Sequence, residues 1–258
     1  MTGSADPVQG PGGEPRLDVV LALRRTVQAL WANRASIVLA GLALITVPGL
    51  LSHWLIDDNA AAKADWDTLS ITLRAALAML YVALVSWGMV ARLAGRALPT
   101  RDFVQEGLRR AQPGVQVALI AGAAVVLGLT LQLFARHGTA AGFALQTLLI
   151  TAGLWGLCTL MPVVPAAVVE RLGPMAAFRR AAALTAGNRD RILALALVVG
   201  LALAPSGALV AGIAGPDGAG PWLQAAFELA AWSLAGTVPA VVYAGLIRRD
   251  SSSGPEAA

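Results

Sequence analysis

Six long apolar runs constrain this chain more than any other feature, at residues 35–55, 75–93, 115–135, 143–169, 192–214 and 222–247. Coiled at 1.5 Å per residue, each is near or above the roughly 20 residues needed to cross about 30 Å of hydrocarbon. Inside hydrocarbon a peptide group finds no water, so its N–H and C=O must bond within the segment, and a run of this length becomes a helix. The expected fold is all-α: a polytopic membrane protein with six transmembrane helices. The residue usage agrees, at 57% hydrophobic and 13% charged, where soluble globular chains carry about 25% charge. A tail over 1–16, a membrane domain over 17–249 and a second tail over 250–258 form the expected plan. The first fifteen residues hold neither a positive charge nor an apolar core, so they predict a disordered tail and no secretory signal. Pro48, Pro162, Pro165, Pro205 and Pro239 fall in or near the ends of spans, where kinks rather than breaks are expected. Trp54 and Trp222 sit at span ends, where an indole prefers the interface.

Charge predicts the orientation. With Arg92 counted beside the loop that follows it, sixteen of the 19 Lys+Arg lie before span one and after spans two, four and six. Short basic loops are retained on the cytoplasmic side, so both termini are expected there, in the inner membrane of a bacterium. The net charge of +4 is spread over these short segments rather than over a soluble face, which argues against nucleic acid and for anionic lipid as the partner.

The basic segments carry amphipathic helices of their own. In 17–31, Val20, Leu23, Val27, Leu30 and Trp31 form one stripe, with Asp18, Ala22, Arg25 and Ala29 opposite. Such a helix lies on a membrane surface with its arginines toward headgroups. Between spans two and three, Pro99-Thr100 offers a helix start, and Phe103, Val104 and Leu108 are expected to face the membrane. Between spans four and five, Pro174 suits a first helical position and Gly187-Asn188 an exit, with Met175, Phe178 and Ala182 on the apolar side. A phrase recurs in all three: Leu23-Arg24-Arg25, Leu108-Arg109-Arg110 and Phe178-Arg179-Arg180. Asn33-Arg34 followed by Ile37 also matches Asn188-Arg189 followed by Ile192. One surface helix plus two spans, repeated three times, would give a parallel repeat about an axis along the membrane normal. Arginine pairs that merely accompany short basic loops are the simpler alternative.

From Pro162 to Arg191 the order is prolines closing a span, an acidic residue, a Gly-Pro helix start, Ala-Phe-Arg-Arg, Leu-Thr-x-Gly-Asn and a new span. This stretch resembles the membrane domain attached to some bacterial glycerophosphodiester phosphodiesterases, and it is similar to other six-span bacterial inner-membrane proteins of unknown role. The resemblance implies a membrane module. It does not imply hydrolysis, because the His, Glu and Asp residues of the phosphodiesterase barrel have no counterpart here.

Few residues invite chemistry. Glu228 is the one carboxylate well inside a span, about 9 Å beyond Trp222 at helical rise. It can bind a proton or cation, or pair with Arg74 or Arg136. His53 and His137 lie near outer span ends without a third ligand at metal spacing, so no metal or other cofactor is expected. Asp57, Asp58, Asp65 and Asp67 make a solvated acidic loop, and Cys158, deep in a span with no base nearby in sequence, reads as a core residue. No phosphate-binding loop, dinucleotide fingerprint or hydrolase motif occurs. The chain is therefore expected to be non-enzymatic, serving membrane-lipid or envelope organisation or acting as a partner subunit for another membrane or peripheral protein. Arg24, Arg25, Arg109, Arg110, Arg179 and Arg180 would contact headgroups. The alternative is a small transporter or channel that uses Glu228 and the proline-bearing spans four to six.

Overall fold

A computed structural model describes residues 17–55, 60–134, 139–214 and 219–252. Arg136, His137, Asp57, Asp58 and the expected tails, apart from 250–252, lie outside these residues. So do the side chains of His53, Trp54, Asp65 and Asp67. The described chain is all-α, and six of its stretches are long and apolar enough to cross a membrane. A multi-pass membrane protein follows.

Helix α1 (Val19–Ala32) is capped by the Asp18 carboxylate, which accepts from the Leu21 amide at 3.0 Å. The first span is α2 (Arg34–Gly41), a π-helical turn (Leu42–Thr46) and α3 (Val47–Leu55). The second ends α4 (Ala60–Leu93), and the third is α5 (Thr100–Phe134). The fourth is divided between α6 (Ala140–Leu160) and α7 (Val163–Glu170). A short α8 (Pro174–Thr185) leads to α9 (Arg189–Ile213), the fifth span, and α10 (Gly220–Ser252) carries the sixth.

The centre is α4 against α10, with α5 on the other side of α4. Burial separates the elements: 56% of the most apolar window of α10 is enclosed, against 11% for α9, which rides on the outside. Close approach depends on missing side chains. A Cβ at Gly236 would meet the Val85 side chain, and one at Gly41 would run into Leu229. Without those carbons the Ser86 hydroxyl reaches the Gly236 carbonyl at 3.1 Å, and the Tyr81 hydroxyl lies 2.7 Å from that of Ser233. Small residues at helix contacts are how bundles pack where no hydrophobic effect drives helices together. Outside, Leu119, Ile120, Val125 and Val126 of α5, Leu148 and Trp155 of α6, and Leu201 and Leu209 of α9 are exposed. An apolar surface of that extent suits lipid and not water.

The structure departs from the sequence-based expectation in five places. The surface helix expected to start at Thr100 and the span expected from Val115 are one continuous helix, Thr100–Phe134, with Pro113 inside it. A proline removes one backbone donor, and no residue of positive φ follows to turn the chain, as Gly187 (φ 77) does after α8. Phe103 does not face the membrane: it is fully buried, its ring lying where a Cβ of Gly88 would stand. Span four breaks rather than kinks. Pro162 and Pro165 withdraw two donors three residues apart, the helix stops at Leu160, and the Thr185 hydroxyl meets the Thr159 carbonyl at 3.4 Å. The face of α1 opposite its apolar stripe is not solvated, since Ala22, Thr26 and Ala29 are buried and α1 packs on α10. Finally, α10 continues to Ser252, past the expected boundary at 249.

Candidate functional site at the arginine-bearing end

The three arginine pairs sit on α1, on the first third of α5 and on α8, and each pair divides in the same way. Arg24, Arg109 and Arg179 are exposed, whereas Arg25, Arg110 and Arg180 are half-buried. In α5 and α8 the second arginine is engaged in an ion pair. Arg110 is 2.5 Å from the Glu106 carboxylate, and its guanidinium lies 5.6 Å from the centre of the Trp87 ring. Arg180 donates to Glu170 at 3.2 Å, and the same Glu170 oxygen accepts from the Tyr243 hydroxyl at 2.8 Å. Arg25 stands near Asp18 and Arg248; burial first, and the Arg248 charge second, lower its pKa.

Helix geometry explains the division. Residues three before, one after and four after the second arginine lie close together on one face of the helix, to one side of that arginine. Those positions are Ala22, Thr26 and Ala29 in α1, Gly107, Ala111 and Gly114 in α5, and Ala177, Ala181 and Leu184 in α8, and all nine are buried. The second arginine thus borders the face that docks on the bundle. The first arginine, about 100° away around the helix, points out.

Two further arginines follow the same logic at the helix corners. Arg34 lies over the Trp31 ring at 4.8 Å and Arg189 over Trp155 at 5.5 Å, distances at which a guanidinium is attracted to the ring face. Asn33 and Asn188, one residue ahead of each, share nearly the same backbone angles (φ −112, ψ 15 and φ −125, ψ 12). Ile37 and Ile192 are both buried. The two corners are used differently: the Asn33 side-chain amide donates to the Ala29 carbonyl, while the Asn188 side-chain oxygen Oδ1 accepts from the Leu17 amide at 3.0 Å. Arg191 donates to the Leu17 carbonyl at 2.8 Å, which ties the start of α1 to the start of α9.

At the opposite end Glu228 pairs with Arg74 at 2.7 Å, one of its two expected partners. Gln224 donates to the other carboxylate oxygen at 3.4 Å. The pair lines a recess of about 440 Å³ with Leu44 and Ile45 of the π-turn, Ile71 and Trp232. Cys158 is buried in α6. Among the described residues no three His, Cys, Asp or Glu side chains gather into a metal-binding group.

Sequence reasoning missed Glu170, Tyr243 and the tryptophan partners of the arginines. Glu170 and Tyr243 are 73 positions apart, and no local pattern joins them. The small residues around each Arg-Arg pair did carry a signal, because Ala/Gly-Leu/Phe-Arg-Arg-Ala/Thr recurs at 22–26, 107–111 and 177–181. That longer phrase reads out which arginine faces in. Comparison with models of protein families, with curated proteins and with solved structures finds no match to this chain.

Proposed function

We propose that this chain is a non-enzymatic protein of the bacterial cytoplasmic membrane that gathers anionic lipid around its arginine-bearing end, with both termini cytoplasmic. The observation that carries the reading is the division of the arginine pairs. In each, one arginine is half-buried and the other exposed, and in α5 and α8 the half-buried one holds an ion pair. Exposed apolar side chains stand near the exposed arginine: Val20 and Val27 by Arg24, Leu108 by Arg109, Met175 by Arg179. A cation beside an apolar contact is what an interface between headgroups and acyl chains accommodates. The resemblance of 161–191 to the membrane domain of glycerophosphodiester phosphodiesterases fits such a module, with a membrane or peripheral protein as a further partner.

The test compares lipid retained on purified protein. A triple variant, Arg24→Gln/Arg109→Gln/Arg179→Gln, should co-purify with clearly less anionic phospholipid per chain than the wild type, by lipid mass spectrometry. Equal retention rejects the lipid role. A reporter that is active only outside the cytoplasm, fused after residue 258, should be silent; activity there rejects the orientation.

One observation favours a second reading, transport. A π-turn, which often marks a functional site in a helix, lines the same recess as the Arg74–Glu228 pair. On that reading Glu228→Gln abolishes a proton- or cation-coupled flux in reconstituted vesicles. Absence of any flux in the wild type removes it.

A further inference from the structure

Where α5 passes the corner between α7 and α8, a recess of about 400 Å³ opens between Arg109, Arg110, Gln112, Gln116, Arg171 and Gly173. Its charge is one-sided. Arg110 is committed to Glu106, and no carboxylate lines the recess. Arg109 and Arg171 make no ion pair among the described residues. The charges of Arg110, Arg109 and Arg171 all act on the Glu106 carboxylate, so three guanidiniums from two elements stand against one carboxylate, an excess of two positive charges, with two neutral amides beside them.

The surrounding backbone adds to this. Gly173 caps the start of α8 with no side chain to satisfy the first turn, and Pro174 follows it. The positive end of a twelve-residue helix thus forms part of the wall. Arg171 occupies a left-handed position (φ 54) that closes α7, a conformation in which glycine sits without strain. The residue found there carries a guanidinium.

We infer that this recess is a binding site for a phosphate monoester. An excess of two positive charges matches a phosphate that carries about −1.5 to −2 at pH 7 better than the single charge of a diester. Guanidinium forks bond phosphate oxygens in pairs, so Arg109 and Arg171 can engage one group at once. The phosphate can belong to a lipid headgroup or to a soluble ester. The inference rests on the lipid-contact reading only for the first of these sources, and it concerns Arg171, which that reading does not use.

The experiment measures binding of dioctanoyl phosphatidic acid to the full chain in neutral detergent by calorimetry, with dioctanoyl phosphatidylglycerol and glycerol 3-phosphate as comparators. Phosphatidic acid should bind about tenfold more tightly than phosphatidylglycerol. Arg109→Gln and Arg171→Gly should each weaken it about tenfold, the loss of one charge-assisted contact. Arg171→Gly also relieves the left-handed position, so it should melt no lower than the wild type while losing the ligand; this separates recognition from folding. Arg179→Gln should bind as the wild type does. Competition by glycerol 3-phosphate supports the site with a soluble source, and its failure to compete, with both variants weakened, supports the site with a lipid source. Wild-type binding by Arg171→Gly overturns the inference, as does equal weakening by Arg179→Gln. In the latter case the general attraction to anionic lipid survives, whereas equal lipid retention by the triple variant, which also lacks Arg109, removes that attraction and leaves this site standing only with a soluble source.

Discussion

The arginine helices of α1 and α8 end at an asparagine corner, and that of α5 does not end at all. All three share one register, with small residues buried on the face that the second arginine borders. Only α1 and α8 are followed by Asn33 or Asn188 and a fresh helix start. What the three have in common is therefore set by docking on the bundle, and what differs is how the chain enters the next span. A surface helix need not be separated from its span to present arginines. In α5 the continuous helix carries Arg109 to the α7–α8 corner, where it meets Arg171.

The sharpest way to break this comparison is to fill the shared face. Gly107→Leu and Ala177→Leu insert side chains where α5 meets Leu84 and where α8 is fully buried. Overpacking of this kind costs about 1–3 kcal/mol, and more where backbone lies behind it. Each variant should lower the unfolding midpoint in mixed micelles by more than any arginine replacement described here. If Ala177→Leu unfolds like the wild type, α8 is held by the membrane surface and not by the protein.

Next in size are the corners, which only two of the three helices possess. Asn33→Ala removes a buried amide whose N–H groups reach the Ala29 carbonyl at 3.0 Å and the Met89 sulfur at 3.7 Å. Asn188→Ala takes the acceptor from the Leu17 amide. Asn188→Ala should cost about 1–2 kcal/mol, the cost of leaving a partly buried group unmet, and Asn33→Ala about 0.5–1 kcal/mol, because the Ala29 carbonyl keeps the backbone N–H of residue 33 at 3.2 Å. In α5 the residue at the same distance after the arginine pair is Ala118, which has no polar atom to lose. Hydrogen exchange should show Asn188→Ala loosening residues 17–22 in particular, since the Leu17 amide and carbonyl are both held from the α8–α9 corner.

Much of this was legible beforehand, and the reasons for the rest are physical. Six spans can be read because hydrocarbon leaves the backbone one solution over about twenty residues. The Pro174 start and the Gly187 exit can be read because each is a backbone requirement stated by one residue type. Phe103 looked lipid-facing because its receptor is a hydrogen atom, the missing Cβ of Gly88 on another helix. The separation expected between the surface helix and span three is absent, since α5 runs through Pro113, at the loss of one backbone donor, packed against α7. Glu228 was recognised as an intramembrane carboxylate, and Arg74 was among its expected partners. The network around Glu170 was not found, since its members come from α7, α8 and α10.

The smallest effect tests the division within the pairs. Arg180→Ala leaves Glu170 with the Tyr243 hydroxyl alone, and Arg110→Ala releases Glu106 and uncovers Trp87. Both ion pairs are partly exposed, so water screens them; the loss should be about 0.5–1 kcal/mol for Arg180→Ala and smaller for Arg110→Ala, whose partner Glu106 faces solvent. Arg24→Ala, Arg109→Ala and Arg179→Ala break no ion pair among the described residues and should change stability by less than about 0.5 kcal/mol. The informative quantity is the contrast inside each pair, measured in one micelle composition, because neighbouring arginines on one helix share propensity, depth and local charge. A second-minus-first difference of the same sign in α1, α5 and α8 requires that the small-residue face, repeated in all three, sets which guanidinium is structural. Equal losses within a pair would mean that both arginines are held alike and that the outward one is not free to serve a headgroup.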